Sequence, residues 1–241
     1  MSNKMSLTEY IKHKRFGPGK GVTQPPPERG IKLFFFVLHT HFWELIKLNL
    51  LFLTFCIPVL TIPAAFCAAN RVILNLVQNR NCYLWNDFFA EFKESFLKSL
   101  PFGLLFAFLI FDSIIAFTMS LTENGVNIPS LALAFFLLGS SIIFFNYVFI
   151  FLPALALKNR YIAKNAFIFL MTEWKTNIII LSATAVMIFT LLSIAAYSIL
   201  PALLVFVFFY FSFMQLIICT AVNQPMIKRI VEPFEQSQNL I

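Results

Sequence analysis

The sequence predicts an all-α fold, a polytopic helical membrane protein with about five transmembrane helices and two cytoplasmic amphipathic surface helices. Three observations predict it. Of the 241 residues, 59% are hydrophobic and 12% charged, against about 45–50% and about 25% in soluble domains. Mean hydropathy is +0.81. Apolar runs of membrane-crossing length, roughly 20 residues, recur along the chain, and Phe alone supplies 32 positions. Together these exclude an ordinary soluble enzyme, a disordered chain and a collagen-like fibre.

Residues 1–30 read as a basic, flexible N-terminal tail, with Lys12, Lys14, Arg15, Lys20 and Arg29 around Pro25-Pro26-Pro27. Gly17-Pro18-Gly19-Lys20-Gly21 lacks the spacing of a phosphate loop. Residues 31–44 are apolar but too short to span, and they predict an interfacial helix. His39 and His41 fall at i and i+2, which point apart on a helix, so they make no shared metal site.

The membrane domain is expected over 45–222, with spans at about 45–68, 99–120, 131–153, 177–200 and 202–222. Pro58 and Pro63 interrupt the first span, and each removes a backbone donor. Pro201 predicts a tight turn that makes the last two spans an antiparallel pair. Between the first two spans, Leu84, Trp85, Phe88, Phe89, Phe92 and Phe96 recur at helical spacing, while Asp87, Glu91, Glu94 and Lys98 occupy other faces. This predicts an amphipathic surface helix. Lys158–Thr176 has the same character, with Lys158, Arg160, Lys164 and Lys175 as its basic residues. Residues 223–241 form a C-terminal tail.

Lys and Arg set the orientation. Loop 121–130 has none, whereas 70–98 carries Arg71, Arg80, Lys93 and Lys98, and the C-terminal tail carries Lys228 and Arg229. Both amphipathic loops and the C-terminus are therefore expected in the cytoplasm. Five crossings then place the basic N-terminus outside. The alternative is that 45–68 turns at Pro58–Pro63 as a re-entrant hairpin, which keeps every basic segment cytoplasmic.

Within the spans, Asp112 is the one acid of the second crossing, and an intramembrane charge is a functional candidate by default. Its structural reading is a hydrogen bond to Asn146 or Gln215. Asn49, Asn146 and Gln215 are amides in separate spans, suited either to joining helices or to lining a sugar path. Trp43, Trp85 and Trp174 fall near span ends, as in an aromatic belt. The four cysteines, Cys56, Cys67, Cys82 and Cys219, form no C-x-x-C pair and read as small hydrophobes. No hydrolase, metalloprotease or nucleotide-binding motif is present. The chain is read as not an enzyme, with no cofactor, no metal and no nucleic-acid partner.

The stretch Trp43…Asn49-Leu50-Leu51-Phe52…Cys56-Ile57-Pro58-Val59-Leu60-Thr61-Ile62-Pro63-Ala64-Ala65 resembles the YesL-like integral membrane proteins, as does Asp87-Phe88-Phe89-x-x-Phe92-Lys93-x-x-Phe96. One departure is visible, since the family's Thr-Ile-Gly-Pro-Ala-Thr reads Thr61-Ile62-Pro63-Ala64-Ala65-Phe66 here. The resemblance singles out Trp43, Pro58, Thr61 and Pro63. It implies a multi-pass protein of the bacterial cytoplasmic membrane, mostly in Gram-positive species, encoded beside carbohydrate ABC transporters. The expected partners are thus the lipid bilayer and ABC permease subunits. The expected role is an accessory or scaffolding subunit supporting sugar or oligosaccharide uptake. The alternative is a stand-alone small transporter or channel with Asp112 lining the path. For the accessory role, Asp87, Glu91 and Glu94 are read as an acidic, water-facing strip for partner docking.

Overall fold

The computed structural model describes residues 30–122, 125–155 and 157–233. The basic segment read over 1–30 lies outside them, save Gly30, as do Glu123 and the end of the C-terminal tail. The described chain is helical almost throughout, and five helices are long and apolar enough to cross a membrane.

Helix α1 (Ile31–Thr40) and helix α2 (Phe42–Cys56) meet at His41, whose backbone leaves the helical region (φ −114°, ψ 26°). The interfacial helix expected over 31–44 thus ends at Thr40. His41 Nδ1 lies 2.6 Å from Glu44 Oε2, which ties the elbow. Pro58 is extended, a 3-10 turn follows (Val59–Thr61), and α3 runs from Ile62 to Val77. Pro63 sits in the first turn of α3, where its missing N–H breaks no helical bond. The segment expected to span as 45–68 is therefore not one helix. It is the halves of two helices, and Phe52 meets Phe66 edge-on at 5.5 Å across the break. Asn79 closes α3 in the left-handed region (φ 51°), and Arg80 N–H donates to Asn75 O at 2.9 Å. This is the Schellman pattern, and Asn tolerates its left-handed position.

Helix α4 (Leu84–Ser120) is continuous for 37 residues through Pro101. The surface helix expected near 84–97 and the crossing expected over 99–120 are one element. A two-residue strand pairing (Leu121↔Val126, Thr122↔Gly125) turns the chain into α5 (Ile128–Ala154). Helix α6 (Asn159–Thr172) leads to α7 (Trp174–Tyr197). Ser198 is extended, and the last rod then rises as α8 (Ile199–Val205), a π-helical turn (Phe206–Tyr210), α9 (Phe211–Met226) and a second π turn (Ile227–Val231). The tail expected from 223 thus begins as helix.

The contacts fix the register. Pro63 lies against Gly103, and Asn75 Nδ2 donates to Asp87 Oδ2 at 3.1 Å, so α3 and α4 are antiparallel. Phe66 meets Phe149 at 5.5 Å, and Arg71 Nη1 donates to Pro153 O at 3.3 Å, so α3 and α5 are parallel. Farther along, Ser113 Oγ donates to Ala134 O at 2.9 Å and Ser130 Oγ to Ala116 O at 2.6 Å, which closes the antiparallel α4–α5 hairpin.

The buried core gathers at one end, the end that holds the basic segments. It includes Leu33 and Val37 of α1, Leu45, Leu48, Leu51 and Phe52 of α2, most of α3, Phe88 and Phe102 of α4, the last third of α5, Ile162 and Phe169 of α6, Ile180 of α7, and much of Phe211–Met226. The other halves of α4, α5, α7 and the last rod turn large apolar side chains outward, among them Phe108, Phe111, Phe135, Phe136 and Phe189. Helix α3 is 67% buried over its most apolar stretch, against 11% for α4. The outer halves are suited by these faces to contact with hydrocarbon, and protein surrounds α3.

Candidate functional site

Two polar layers are buried between these helices. The first lies beside the break. Asn49 on α2 is fully buried and reaches the π turn of the last rod. Its Nδ2 donates to Phe206 O (3.1 Å) and Val207 O (2.6 Å), and its Oδ1 accepts from Ser212 N–H (3.0 Å). A π turn shifts the ladder from i→i−4 to i→i−5, which leaves backbone groups unmatched at its ends. One amide satisfies them here. Phe52 stacks on Phe211 at 3.5 Å next to this joint.

Asn146 and Gln215 meet each other rather than Asp112. Gln215 Nε2 donates to Asn146 Oδ1 (3.3 Å), and Asn146 Nδ2 donates to its own helix at Ile142 O (2.8 Å). Asp112 stands half-buried on the outer half of α4, beside the Ser113–Ala134 contact. The pairing expected between Asp112 and those amides is absent among the described residues. The reason is register, because α4 runs antiparallel to α5 and carries Asp112 away from the level of Asn146. Asn70, which the sequence reading did not single out, donates to Phe149 O at 3.1 Å and faces Cys219 Sγ at 3.6 Å.

The second layer lies at the basic end. Arg71, Asn75 and Gln78 recur at i, i+4 and i+7, one face of α3. Arg71 is buried, and Gln78 Nε2 donates to Asn223 Oδ1 at 2.7 Å. The sequence reading placed these residues in a loop, although their helical spacing inside an apolar run was the signal that could have found them. Glu91, expected on the water face of the acidic strip, is 4% exposed and accepts a hydrogen bond from Ser95. Asp87 is turned toward Asn75 and accepts from Tyr83 N–H at 3.2 Å. Only Glu94 of the three faces water, paired with Lys98 at 3.1 Å. The strip fails because Phe88, Glu91 and Ser95 share one helical stripe, and that stripe packs inward.

Burial, and after it the neighbouring Arg71 guanidinium, pushes Arg80 down to about 10. Burial, and after it the Asp87 carboxylate, pushes the Cys82 thiol up to about 12.

Thr61 has a clear task. Its hydroxyl donates to the carbonyl of Phe55, left at the end of α2, and to that of Pro58, which also accepts the Thr61 N–H at 3.0 Å. Trp43, Trp85 and Trp174 are all exposed, and Lys175 lies 5.6 Å from the Trp174 ring centre. Arg229 Nε pairs with Glu173 Oε1 at 2.5 Å, which ties the last rod to the start of α7. Among the described residues no three His, Cys, Asp or Glu side chains gather at metal-binding distance. Both layers fasten helices to one another.

No curated protein and no solved structure matches this chain. Residues 45–117, from α2 through the break and α3 to the outer half of α4, match the family described as a protein of unknown function, DUF624, to which the YesL-like proteins belong, so the resemblance carried by Trp43–Lys98 is borne out.

Proposed function

We propose that the protein is a non-catalytic accessory or scaffolding subunit of a bacterial cytoplasmic membrane, working beside the permease subunits of a carbohydrate ABC import system. One observation carries the scaffolding half of this reading. The intramembrane amides are turned onto the protein's own helices, Asn49 onto the last rod and Asn146 onto Gln215. A conduit needs polar groups directed at a solute, whereas these are directed at backbone and at each other. Amides used this way fix helix packing, at roughly 0.6–2 kcal/mol each. The link to carbohydrate import rests on the resemblance to the YesL-like proteins.

The alternative, a stand-alone transporter, requires Asp112 and the amides to share one path. They stand at different levels of the bundle, so this reading loses its lining. With Glu91 inside, the acidic strip is also lost as a docking surface. The accessory reading therefore places the permease against the outward apolar faces of α4, α5 and α7. The test is purification of the tagged protein in mild detergent, with its partners identified. Co-purified permease subunits support the reading. A solute flux from the pure protein in liposomes, with no permease recovered, sinks it.

A further inference from the structure

We propose that the chain crosses the bilayer four times, and that Ile31–Thr61 lies along the cytoplasmic leaflet as an in-plane surface whose partner is lipid. Although α3 together with the 3-10 turn before it is long and apolar enough to cross, it starts in the wrong place. Pro63 abuts Gly103, where an added Cβ would come within 2.1 Å of the ring. From Gly103, α4 continues to Ser120, about 25 Å at 1.5 Å per residue. Phe66 is level with Phe149, and α5 extends from there back to Ile128, about 30 Å. The hydrocarbon core is itself about 30 Å thick. The hairpin tip therefore stops a large part of the bilayer short of the far side.

Helix α2 does not run alongside the last rod either. Phe42 meets Phe209 at 5.7 Å, and ten residues later Phe52 meets Phe211 at 3.5 Å. A stretch of α2 about 15 Å long thus faces a single turn of its neighbour, which is a transverse crossing. A helix lying across a membrane-spanning rod lies near the membrane plane.

What this segment exposes suits lipid. Ile31, Phe35 and Trp43 are outward, and the tip residues Ile57 and Val59 are 80% and 75% exposed. No charged residue occurs between Lys47 and Arg71. Broken backbone is tolerated in hydrocarbon only where its polar groups are satisfied, and Thr61 satisfies the carbonyls of Phe55 and Pro58. An even number of crossings also returns the chain before Ile31 to the side of the basic loops, where Lys and Arg belong.

The test uses full-length protein in a Cys56→Ser, Cys82→Ser background. In intact cells an impermeant maleimide should label Val126→Cys and spare Ile31→Cys and Val59→Cys. After permeabilisation Ile31→Cys should label. Five crossings put positions 31 and 59 outside, so labelling of either in intact cells overturns the proposal. A green fluorescent protein fused ahead of residue 1 decides the case in which Ile31→Cys stays unreactive. Fluorescence supports four crossings, and a dark, exported fusion overturns them. The lipid partner is tested in vesicles containing brominated phosphatidylcholine. Trp43→Phe should remove part of the quenching of tryptophan emission. Unchanged quenching means that lipid does not cover the face, and it overturns that half of the proposal.

Discussion

The inner and outer halves of the bundle are built from the same apolar residues and hold together differently. In the inner half, α3 is enclosed by α4, α5 and the last rod, and its polar side chains meet partners on each of them. In the outer half, α4 and α5 form a hairpin fastened by serine-to-carbonyl bonds, with most large side chains facing out. Lipid tails are as apolar as leucine, so an outward Phe there gains little from a protein neighbour. The inner half is thus specified by side-chain fit and buried polar pairing, and the outer half by apolarity and length. Substitutions should therefore be felt inside and tolerated outside.

The sharpest contrast is between two glutamates one turn apart. Glu91→Lys places a cation where a buried carboxylate was, and should destabilise by about 3–5 kcal/mol, the range for an uncompensated buried charge. Glu94→Lys changes an exposed side chain paired with Lys98, and should cost about 0.5 kcal/mol or less. Thermal unfolding in detergent, followed by tryptophan emission, separates them. Similar melting temperatures would mean that Glu91 is not enclosed.

Cys82 belongs to the inner half, and its thiol is pushed up to about 12. The thiolate is the reactive form, so alkylation at pH 8 should be at least about a hundredfold slower than for an exposed cysteine. The rate should climb about tenfold per pH unit through pH 10, where an ordinary thiol has levelled off. Asp87→Asn removes a charge that raises this pKa and should speed the reaction. A plateau near pH 9 in the unsubstituted protein would contradict the burial.

Two glycines make the next comparison. Gly103→Ala drives a Cβ into Pro63, a rigid ring, and should cost about 1–3 kcal/mol through overpacking. Gly139→Ala meets only Leu181 Cδ2 at 3.8 Å, and should be neutral or stabilising by up to about 1 kcal/mol through helix propensity. The fraction of protein that elutes as a single species after heating reports both. Equal loss in the two variants would remove the close approach of α3 to α4.

Asn49→Leu should cost about 1–2 kcal/mol, since the ends of the π turn lose their partner. Hydrogen exchange should rise locally at 206–212. Exchange that rises evenly along the rod would deny Asn49 a specific role. Asp112→Asn, in the outer half, should change stability by less than about 0.5 kcal/mol and leave permease co-purification intact. Loss of function in a variant that still folds would return Asp112 to the site.

Several features were legible in the sequence. The strong apolarity predicts long helices, and the Lys and Arg asymmetry marks one end of the bundle. Pro58 and Pro63 mark a break, and Pro201 a tight return, which the structure places at Ser198. The amides Asn49, Asn146 and Gln215 stood out because polar groups in apolar runs are rare. Other features were hidden. Arg71, Asn75 and Gln78 read as loop because charge suggests water, although they form one stripe of a buried helix. Glu91 read as exposed because its neighbours on the next turn, Asp87 and Glu94, are acidic too, and the inward direction of its stripe depends on where α3 packs.

By itself the sequence determined that the chain is mainly helical, which segments are too apolar for water, and which end carries positive charge. These follow from the solvation of each segment and from local backbone chemistry, and neither needs knowledge of a neighbour. Only the tertiary structure decided that α3 is wrapped in protein, that Asn146 meets Gln215 rather than Asp112, and that the break seats Pro63 against Gly103. The physical reason is that a protein interior and a bilayer interior are nearly equivalent solvents for an apolar helix. Hydropathy cannot distinguish them, whereas the fit of Pro63 to Gly103 and of Asn49 to the π turn does.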